Sequence, residues 1–177
     1  SSEGKYQGFA VRADGVMWCQ ERYAKLPNFE FKLADVHPAW YNPNSKVSPS
    51  SYIFPYDDAT FDVIFAASLF THLEPDAAQN YFGQTARVLK PGGRLFFTCF
   101  LINESYKGLH AQNVLGRRFI KASRVHYVID PEKPSMGVAY NEAVIRSMLN
   151  IAGFVVSEIN FGTWANGIDV ISAFQDI

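Results

Sequence analysis

The sequence has few cysteines and no long apolar run. Its two cysteines, Cys19 and Cys99, stand among apolar residues without the spacing of a metal or redox motif. Two such cysteines do not make a disulfide framework, so we expect both to be buried and reduced, as in a cytoplasmic protein. No apolar stretch approaches the ~18 residues that a membrane-spanning helix needs, so the sequence predicts no membrane association.

The chain also has little net charge. Its 16 Lys and Arg against 17 Asp and Glu give a formal charge of -1. A nearly neutral surface is unsuited to general nucleic-acid binding, which needs many cations along the phosphate backbone. No His, Asp and Glu residues have metal-ligand spacing, so we predict no metal site. The 177 residues, 48% of them hydrophobic, suffice for one globular domain over 1–177.

Strand and helix patterns alternate along the chain. The predicted strands are 6–11, 29–34, 61–68, 94–101, 154–161 and 170–174. The predicted helices are 15–23, capped by Asp14 and burying Val16, Met17 and Trp18, then 75–89 and 141–152. The connection between the last two strands is too short for a helix, so they should form an antiparallel hairpin. The fold class is therefore α/β, a mostly parallel sheet with a C-terminal hairpin.

The strand 61–68, "FDVIFAAS", is continuously apolar, which is typical of a strand buried on both faces of a parallel sheet. Ligands of such sheets bind at the carboxyl ends of the strands. We therefore expect the functional site near Val11, Ala34, Ser68 and Phe100.

Two segments carry a family resemblance. "FPYDDATFDVIFAASLFTHL" (54–73), followed by "ARVLKPGGRLFFTCF" (86–100), is similar to the core of Class I S-adenosylmethionine-dependent methyltransferases of the small-molecule type. In that family a Lys/Arg-Pro-Gly-Gly turn joins a helix to the fifth strand of a Rossmann-like sheet. "YQGFAV" and "FEFKLADV" resemble its second and third strands.

The resemblance implies a cofactor site for S-adenosylmethionine, with S-adenosylhomocysteine as product. Asp35 falls where an acid accepts the adenine amino group, and the amide of Val36 where the backbone meets a ring nitrogen. Alternatively, Asp35 caps the start of a loop. The small residues Ala66, Ala67 and Ser68 fall where the backbone approaches the methionine part, or alternatively they pack under a helix. Phe70 falls where a large side chain walls the pocket.

The chain departs from the family pattern in two places. The acid that binds the ribose is replaced by Ala10, followed by Val11, with Asp14 one turn further on. Loss of such a charged hydrogen bond costs about 1.5–3 kcal/mol of cofactor affinity. The family's first strand and glycine-rich loop are also missing, so we expect the natural protein to include an upstream segment of roughly 40 residues, the size of one strand–helix unit.

The acceptor side is expected in residues 104–140, as an insertion or cap on the substrate side. His72 is the candidate general base, or alternatively a packed histidine. Arg117 and Arg118 are candidates for an anionic small molecule, or alternatively part of a solvated helix face. Tyr127 and Trp164 are candidate apolar walls.

Two functions follow as hypotheses. The first is methyl transfer to a small-molecule or glycan-like acceptor by direct in-line displacement, in which proximity and orientation supply much of the rate. The second is a non-catalytic methyltransferase-like module for binding or assembly, which Ala10 and the missing loop favour. The sequence does not indicate an oligomeric state.

Overall fold

The computed structural model describes residues 4–36, 45–104, 106 and 118–162. The chain divides into two compact units, an N-terminal unit of Ser1–Tyr52 and a C-terminal unit of Ile53–Ile177. Helices and parallel strand pairs occur in the order expected for an α/β protein. The single domain predicted over 1–177 stays a prediction.

The N-terminal unit is built on two parallel strands, β1 (Tyr6–Ala10) and β2 (Phe29–Leu33). They pair in register from Tyr6 opposite Phe29 to Ala10 opposite Leu33. A short 3-10 turn follows at Pro49–Ser51. The parallel pairing places the carboxyl ends of both strands at one edge, as the sequence predicted.

Helix α1 (Ala13–Arg22) connects the two strands, two residues earlier than predicted. Its N-cap is Arg12, and Asp14 lies inside the first turn, so the prediction that Asp14 caps the helix is wrong. Only Val16 of the three predicted core residues is buried, whereas Met17 and Trp18 are 58% and 60% exposed. A helix buries a residue only on the stripe that faces its sheet, and neighbouring positions turn away by about 100°.

The C-terminal unit begins with a second parallel pair, β3 (Phe61–Ala66) and β4 (Leu89–Phe97). The Pro-Gly-Gly turn lies within the start of β4, and the register shifts between Phe61 and Val63. Gly92 has φ +79°, and a Cβ on Gly93 would approach the Lys90 carbonyl oxygen to 2.9 Å. Both glycines are therefore required by the geometry of this turn.

The prediction that β3 is buried on both faces is wrong. Val63 and Phe65 are 55% and 70% exposed, and Phe96 on the neighbouring strand is 44% exposed. The alternate residues Ile64 and Ala66 are half-buried. An apolar run does not by itself determine how many faces are covered, because coverage comes from other elements.

Helix α2 (Pro75–Val88) packs against β4 and carries the main core of this unit. Pro75 occupies its first position, Asp76 its first turn and Arg87 its last turn, which suits the helix dipole. One side of this segment faces the core, and its members are at most 7% exposed: Tyr81, Phe82, Thr85, Val88 and Leu89.

The C-terminal unit contains a second sheet, which follows β4 and which the sequence did not indicate. Its strands are β5 (Leu101–Ile102), β6 (Ile120–Lys121), β7 (His126–Val128) and β8 (Val138–Asn141), in the order β5-β8-β7-β6. The pair β5–β8 is parallel, and the other two pairs are antiparallel. One face packs as an apolar cluster, here the cap cluster, of Phe100, Ile102, Tyr106, Phe119 and Ala139, with Tyr127 and Ile129 beside it.

Helix α3 (Glu142–Ile151) follows β8 directly and buries Ile145, Met148 and Leu149. Gly153 has φ +89° and ends the helix in the left-handed conformation. Residues 154–162 belong to no strand pair within the described part of the chain. The second strand of the predicted hairpin, 170–174, lies outside the described residues, so the hairpin stays a prediction.

Candidate active site

In the N-terminal unit, the candidate adenine-binding residues lie just beyond the end of β2. Ala34 and Val36 are each 1% exposed, whereas Asp35 between them is exposed. The amide of Ala34 donates to the carbonyl oxygen of Ala10 at 2.9 Å and continues the strand ladder past β2. The buried flanking side chains fix the backbone, so the Asp35 carboxylate is held at the carboxyl edge of the sheet.

Tyr52 shares this edge and was not identified from the sequence. Its ring lies 6.2 Å from that of Phe9 on β1. Burial, and secondly the charge of Asp35, raises the pKa of the Tyr52 hydroxyl. An aromatic face and a carboxylate are therefore within electrostatic reach of each other, and together they suit a planar base that carries an amino group.

The ribose position differs from the family pattern in the structure as well. Ala10 is exposed at the end of β1, with half-buried Val11 after it. The displaced acid, Asp14, is paired with the guanidinium of Arg12, whose Nε donates to Oδ1 at 3.1 Å. That hydrogen bond is the main reason that the pKa of Asp14 is lowered. Asp14 is thus engaged locally, and no acid stands at position 10.

In the C-terminal unit, the end of β3 is held in an unusual backbone conformation. Ser68 has φ +53°, a left-handed conformation that non-glycine residues rarely adopt. Its amide donates to Thr98 Oγ1 at 2.8 Å, and the Thr98 amide donates to the Ala66 carbonyl oxygen at 3.1 Å. Strain of this kind is concentrated at functional sites. Ala67 and Ser68 are exposed here, with only small side chains.

The ring of Phe70 belongs to the core. It is 1% exposed, stacked on Phe82 at 4.3 Å and 4.9 Å from Phe97. Its ring faces these two phenylalanines, and the role of Phe70 as a wall of a cofactor pocket stays a prediction. Its contribution is to anchor the loop that follows β3.

The side chain of His72 is exposed in this loop, and a hydrogen bond of its ring fixes its orientation. Nδ1 lies 2.8 Å from the carbonyl oxygen of Ser135. A carbonyl only accepts, so Nδ1 carries the proton, and the neutral ring presents Nε2 as a lone pair. Two further hydrogen bonds join the loop to β8. The Val138 amide donates to the Thr71 carbonyl oxygen, and the Tyr140 hydroxyl donates to the Leu73 carbonyl oxygen.

A second histidine, His126 on β7, also lies near this loop and was not identified from the sequence. It pairs with Tyr140 on β8, with ring centroids 6.4 Å apart. Burial lowers the pKa of His126, and the charge of Glu74 opposes that shift. Burial likewise raises the pKa of Tyr140, so this hydroxyl stays protonated and donates to Leu73.

The predicted substrate residues are only partly placed. Arg118 is exposed, just before β6, and Tyr127 packs half-buried against the cap cluster. Arg117 and Trp164 lie outside the described residues. Asp62 is paired with Lys90 at 2.9 Å, at the opposite end of β3 from Ser68.

Among the helices of the described residues, none has the length and apolar character of a membrane-spanning segment. In the same ranges, no group of three or more His, Cys, Asp and Glu side chains is arranged to hold a metal ion.

The fold matches solved methyltransferases. A SAM-dependent methyltransferase from Methanosarcina mazei superposes with a TM-score of 0.56 at 20% identity, over 87% of this chain and 71% of that one. Geranyl diphosphate C-methyltransferase from Streptomyces coelicolor, crystallised with Mg²⁺, geranyl diphosphate and S-adenosylhomocysteine, gives 0.55 at 10% identity, over 92% and 49%. The Rossmann-like Class I methyltransferase fold is therefore confirmed.

Sequence comparison points to the same class. Residues 15–97 match the methyltransferase domain family. A 27-O-demethylrifamycin SV methyltransferase of Amycolatopsis mediterranei is 47% identical over 57 residues, 32% of this chain and 20% of that protein. The resemblance to Class I S-adenosylmethionine-dependent methyltransferases, a class of enzymes whose methyl donor is S-adenosylmethionine, is confirmed. The match spans only one fifth of the length of this curated relative.

Proposed function

We propose that the protein transfers a methyl group from S-adenosylmethionine to a hydroxyl of a small-molecule or glycan-like acceptor. When bound, the cofactor would supply the methyl group from its sulfonium sulfur. In-line displacement of that group would yield S-adenosylhomocysteine. The observation that carries the proposal is the His72 ring, whose Nδ1 bond to Ser135 leaves Nε2 free to take a proton. The partial match to a methyltransferase of a rifamycin, a small molecule, supports it.

The roles proposed for the cofactor-binding residues follow their chemistry. Asp35 accepts from the adenine amino group, the Val36 amide meets a ring nitrogen, and Tyr52 offers an aromatic face. In the C-terminal unit, exposed Ala67 and Ser68 carry small side chains, which suits the methionine part. In the N-terminal unit, Asp35, Val36 and Tyr52 fit the adenine end of the cofactor, whereas Ala10 does not fit the ribose hydroxyls.

Proton transfer is the part that this chain performs. The acceptor hydroxyl loses its proton to Nε2 of His72 as its oxygen bonds to the methyl carbon, and the imidazolium then releases the proton to water. The Ser135 carbonyl stabilises the imidazolium because it already accepts from Nδ1. The thiols of Cys19 and Cys99 form no disulfide, which supports a cytoplasmic location.

The test is release of S-adenosylhomocysteine by the whole protein with a panel of phenols, sugars and hydroxy acids. We expect a His72→Gln variant to lower kcat by 10²–10⁴-fold, the usual contribution of a general base. An unchanged kcat would contradict the role of His72. If S-adenosylhomocysteine binds to the protein but no member of the panel leads to its release, the proposal is contradicted.

One observation favours a second function, a non-catalytic methyltransferase-like module. Ala10 removes a carboxylate, and Asp14 is already paired with Arg12. A whole protein that folds but does not bind S-adenosylhomocysteine would establish this alternative.

A further inference from the structure

The turn between β6 and β7 holds a serine and a histidine in direct contact. Ser123 Oγ and His126 Nδ1 are 2.8 Å apart. The amides of Val125 and His126 both donate to the same Oγ, at 3.1 and 3.3 Å. The amides of Ala122 and Ser123 in turn donate to the His126 carbonyl oxygen, at 3.2 Å each. The whole turn is therefore fixed by its own hydrogen bonds.

These contacts determine which ring nitrogen of His126 carries the proton. A hydroxyl oxygen has two lone pairs, and both are used by the two backbone amides. The remaining group on Ser123 is its O–H, which donates to Nδ1. Nδ1 is therefore the acceptor, and the neutral His126 ring carries its proton on Nε2. Burial, which lowers the pKa of His126, favours this neutral form.

The two histidines therefore have opposite tautomers. His72 presents a lone pair at Nε2, and His126 presents an N–H at Nε2. His72 precedes Leu73 in the chain, and His126 lies beside Tyr140, whose hydroxyl binds the Leu73 carbonyl. Because their hydrogen-bond partners differ, the ring of His72 can accept a proton at Nε2, whereas the ring of His126 can donate a hydrogen bond from Nε2.

The face on which His126 lies is opposite the cap cluster. Side chains alternate along a strand, and Tyr127 and Ile129 pack against that cluster. His126 therefore points to the other face, with Tyr140. Within the described residues, the Nε2 atom of His126 has no hydrogen-bond partner, so its donor is available to a ligand.

The charge of this turn indicates the ligand. Residues 118–128 contain Arg118, Lys121 and Arg124 and no acid. Arg124 is exposed and lies two residues before His126, whereas Lys121 pairs with Tyr127 and lies on the other face. Glu74 is the acid whose charge acts on His126. A neutral N–H donor beside an exposed arginine suits an anionic oxygen ligand.

We propose that Nε2–H of His126 binds a carboxylate carried by the methyl acceptor, and so positions the acceptor hydroxyl for reaction. This role rests on the proposed methyl transfer and names the acceptor class as a hydroxy acid. Ser123 acts through His126 as a positioning residue, because its hydroxyl fixes the tautomer.

The first test is the tautomer itself, by nitrogen NMR of the whole protein with labelled histidine. We expect a proton on Nε2 of His126 and on Nδ1 of His72. In Ser123→Ala the His126 tautomer should become mixed, while the His72 signal stays unchanged. A proton on Nδ1 of wild-type His126 would overturn the proposal.

The second test is binding of two hydroxy acids, 4-hydroxybenzoate and glucuronate, in the presence of S-adenosylhomocysteine. We expect at least one to shift the His126 signal, with affinity at least 10-fold above that of phenol or glucose. His126→Phe should remove that preference, and His126→Gln should largely restore it, because the glutamine amide also donates. Arg146→Gln, a cation removed from α3, should leave the preference unchanged.

The outcomes separate this proposal from the proposed function. If S-adenosylhomocysteine binds but neither acid is preferred over its neutral counterpart, the role of His126 is overturned and methyl transfer stands. If an acid shifts His126 but the cofactor product does not bind, the carboxylate site stands and methyl transfer fails.

Discussion

The two units of this protein differ in how they hold their functional groups. In the N-terminal unit, the buried residues in the described ranges are Val16, Ala34, Ser45 and Val36, and the candidate adenine acceptor, Asp35, is fixed by the two that flank it. In the C-terminal unit, the rings of His72 and His126 are each held by a hydrogen bond at Nδ1, and the described residues of this unit include an extensive core. A cofactor contact can depend on backbone position alone, whereas proton transfer requires a defined tautomer.

We expect the largest loss of stability from a substitution in the core of the C-terminal unit. Phe82 is fully buried and contacts the rings of Phe70 and Phe97. We expect Phe82→Ala to lower the free energy of unfolding by about 3–5 kcal/mol, because it leaves a cavity under the loop that carries His72. Urea unfolding measures this change.

The matched control is Met17→Ala in the N-terminal unit, where the side chain is 58% exposed. It should change stability by less than about 0.5 kcal/mol. Equal losses in the two variants would refute the contrast between the units.

A smaller loss is expected at Arg87, which joins the end of α2 to the segment before β3. Its guanidinium donates to the carbonyl oxygens of Phe54 and Tyr56, both at 2.9 Å, and to Asp58 at 2.7 Å. Arg87→Met leaves those oxygens without their donor, which we expect to cost about 2–3 kcal/mol in urea unfolding.

Arg146→Met is the control for Arg87, because Arg146 makes only an exposed pair with Glu142 on one helix turn. Its expected cost is about 0.3–0.5 kcal/mol. A cost for Arg87→Met as small as that would show that these bonds are not structural.

The third prediction sharpens the N-terminal site. Ala10 is exposed where the family has its ribose-binding acid. We expect Ala10→Asp to raise the affinity for S-adenosylhomocysteine by about 10- to 100-fold, the equivalent of 1.5–3 kcal/mol. Isothermal titration calorimetry measures it.

Ala13→Asp adds the same charge at the start of α1, away from the strand end, and should leave affinity within about twofold. If both variants bind equally tightly, the gain is general electrostatics rather than a ribose contact.

The smallest effect concerns the pH dependence of stability. Burial lowers the pKa of His126, and an unfolded histidine titrates near about 6.5. Below that pH the unfolded state takes up a proton that the folded state resists, so stability falls as pH falls. Between about pH 7.5 and 5.5 this contribution should be small, since the ring is only half-buried and Glu74 opposes the shift.

The glutamine variant of His126 does not titrate, so it should lack this part of the pH dependence. The comparison is made by urea unfolding of both proteins at the two pH values. A steeper loss of stability in the variant would have the wrong sign and would contradict the account of His126.

Sequence patterns predicted the elements that have clear boundaries. The predicted helices 75–89 and 141–152 and the Pro-Gly-Gly turn match α2, α3 and the start of β4. The second sheet was missed because its strands are two to four residues long, too short for a periodic signal. The exposed face of β3 was missed because an apolar run does not reveal its neighbours.

The candidate site was predictable only where position in the chain determines the role. The candidate roles of Asp35 and Ala67 could be predicted because both residues come directly after the end of a predicted strand or close it. Tyr52 lies after an irregular segment, and its proximity to Asp35 is a property of the fold. The role of His126 depends on lone pairs of Ser123 that only the turn geometry assigns.

The most direct test of the central claim is calorimetric titration of the whole protein with S-adenosylhomocysteine, for the wild type and Asp35→Asn. We predict saturable binding of one molecule per chain, weakened about 10-fold in the variant through loss of one charged hydrogen bond. Glu21→Gln, which removes an exposed carboxylate from α1, should bind as the wild type does. Absence of binding to the folded wild-type protein, or equal affinity in Asp35→Asn, would contradict the account.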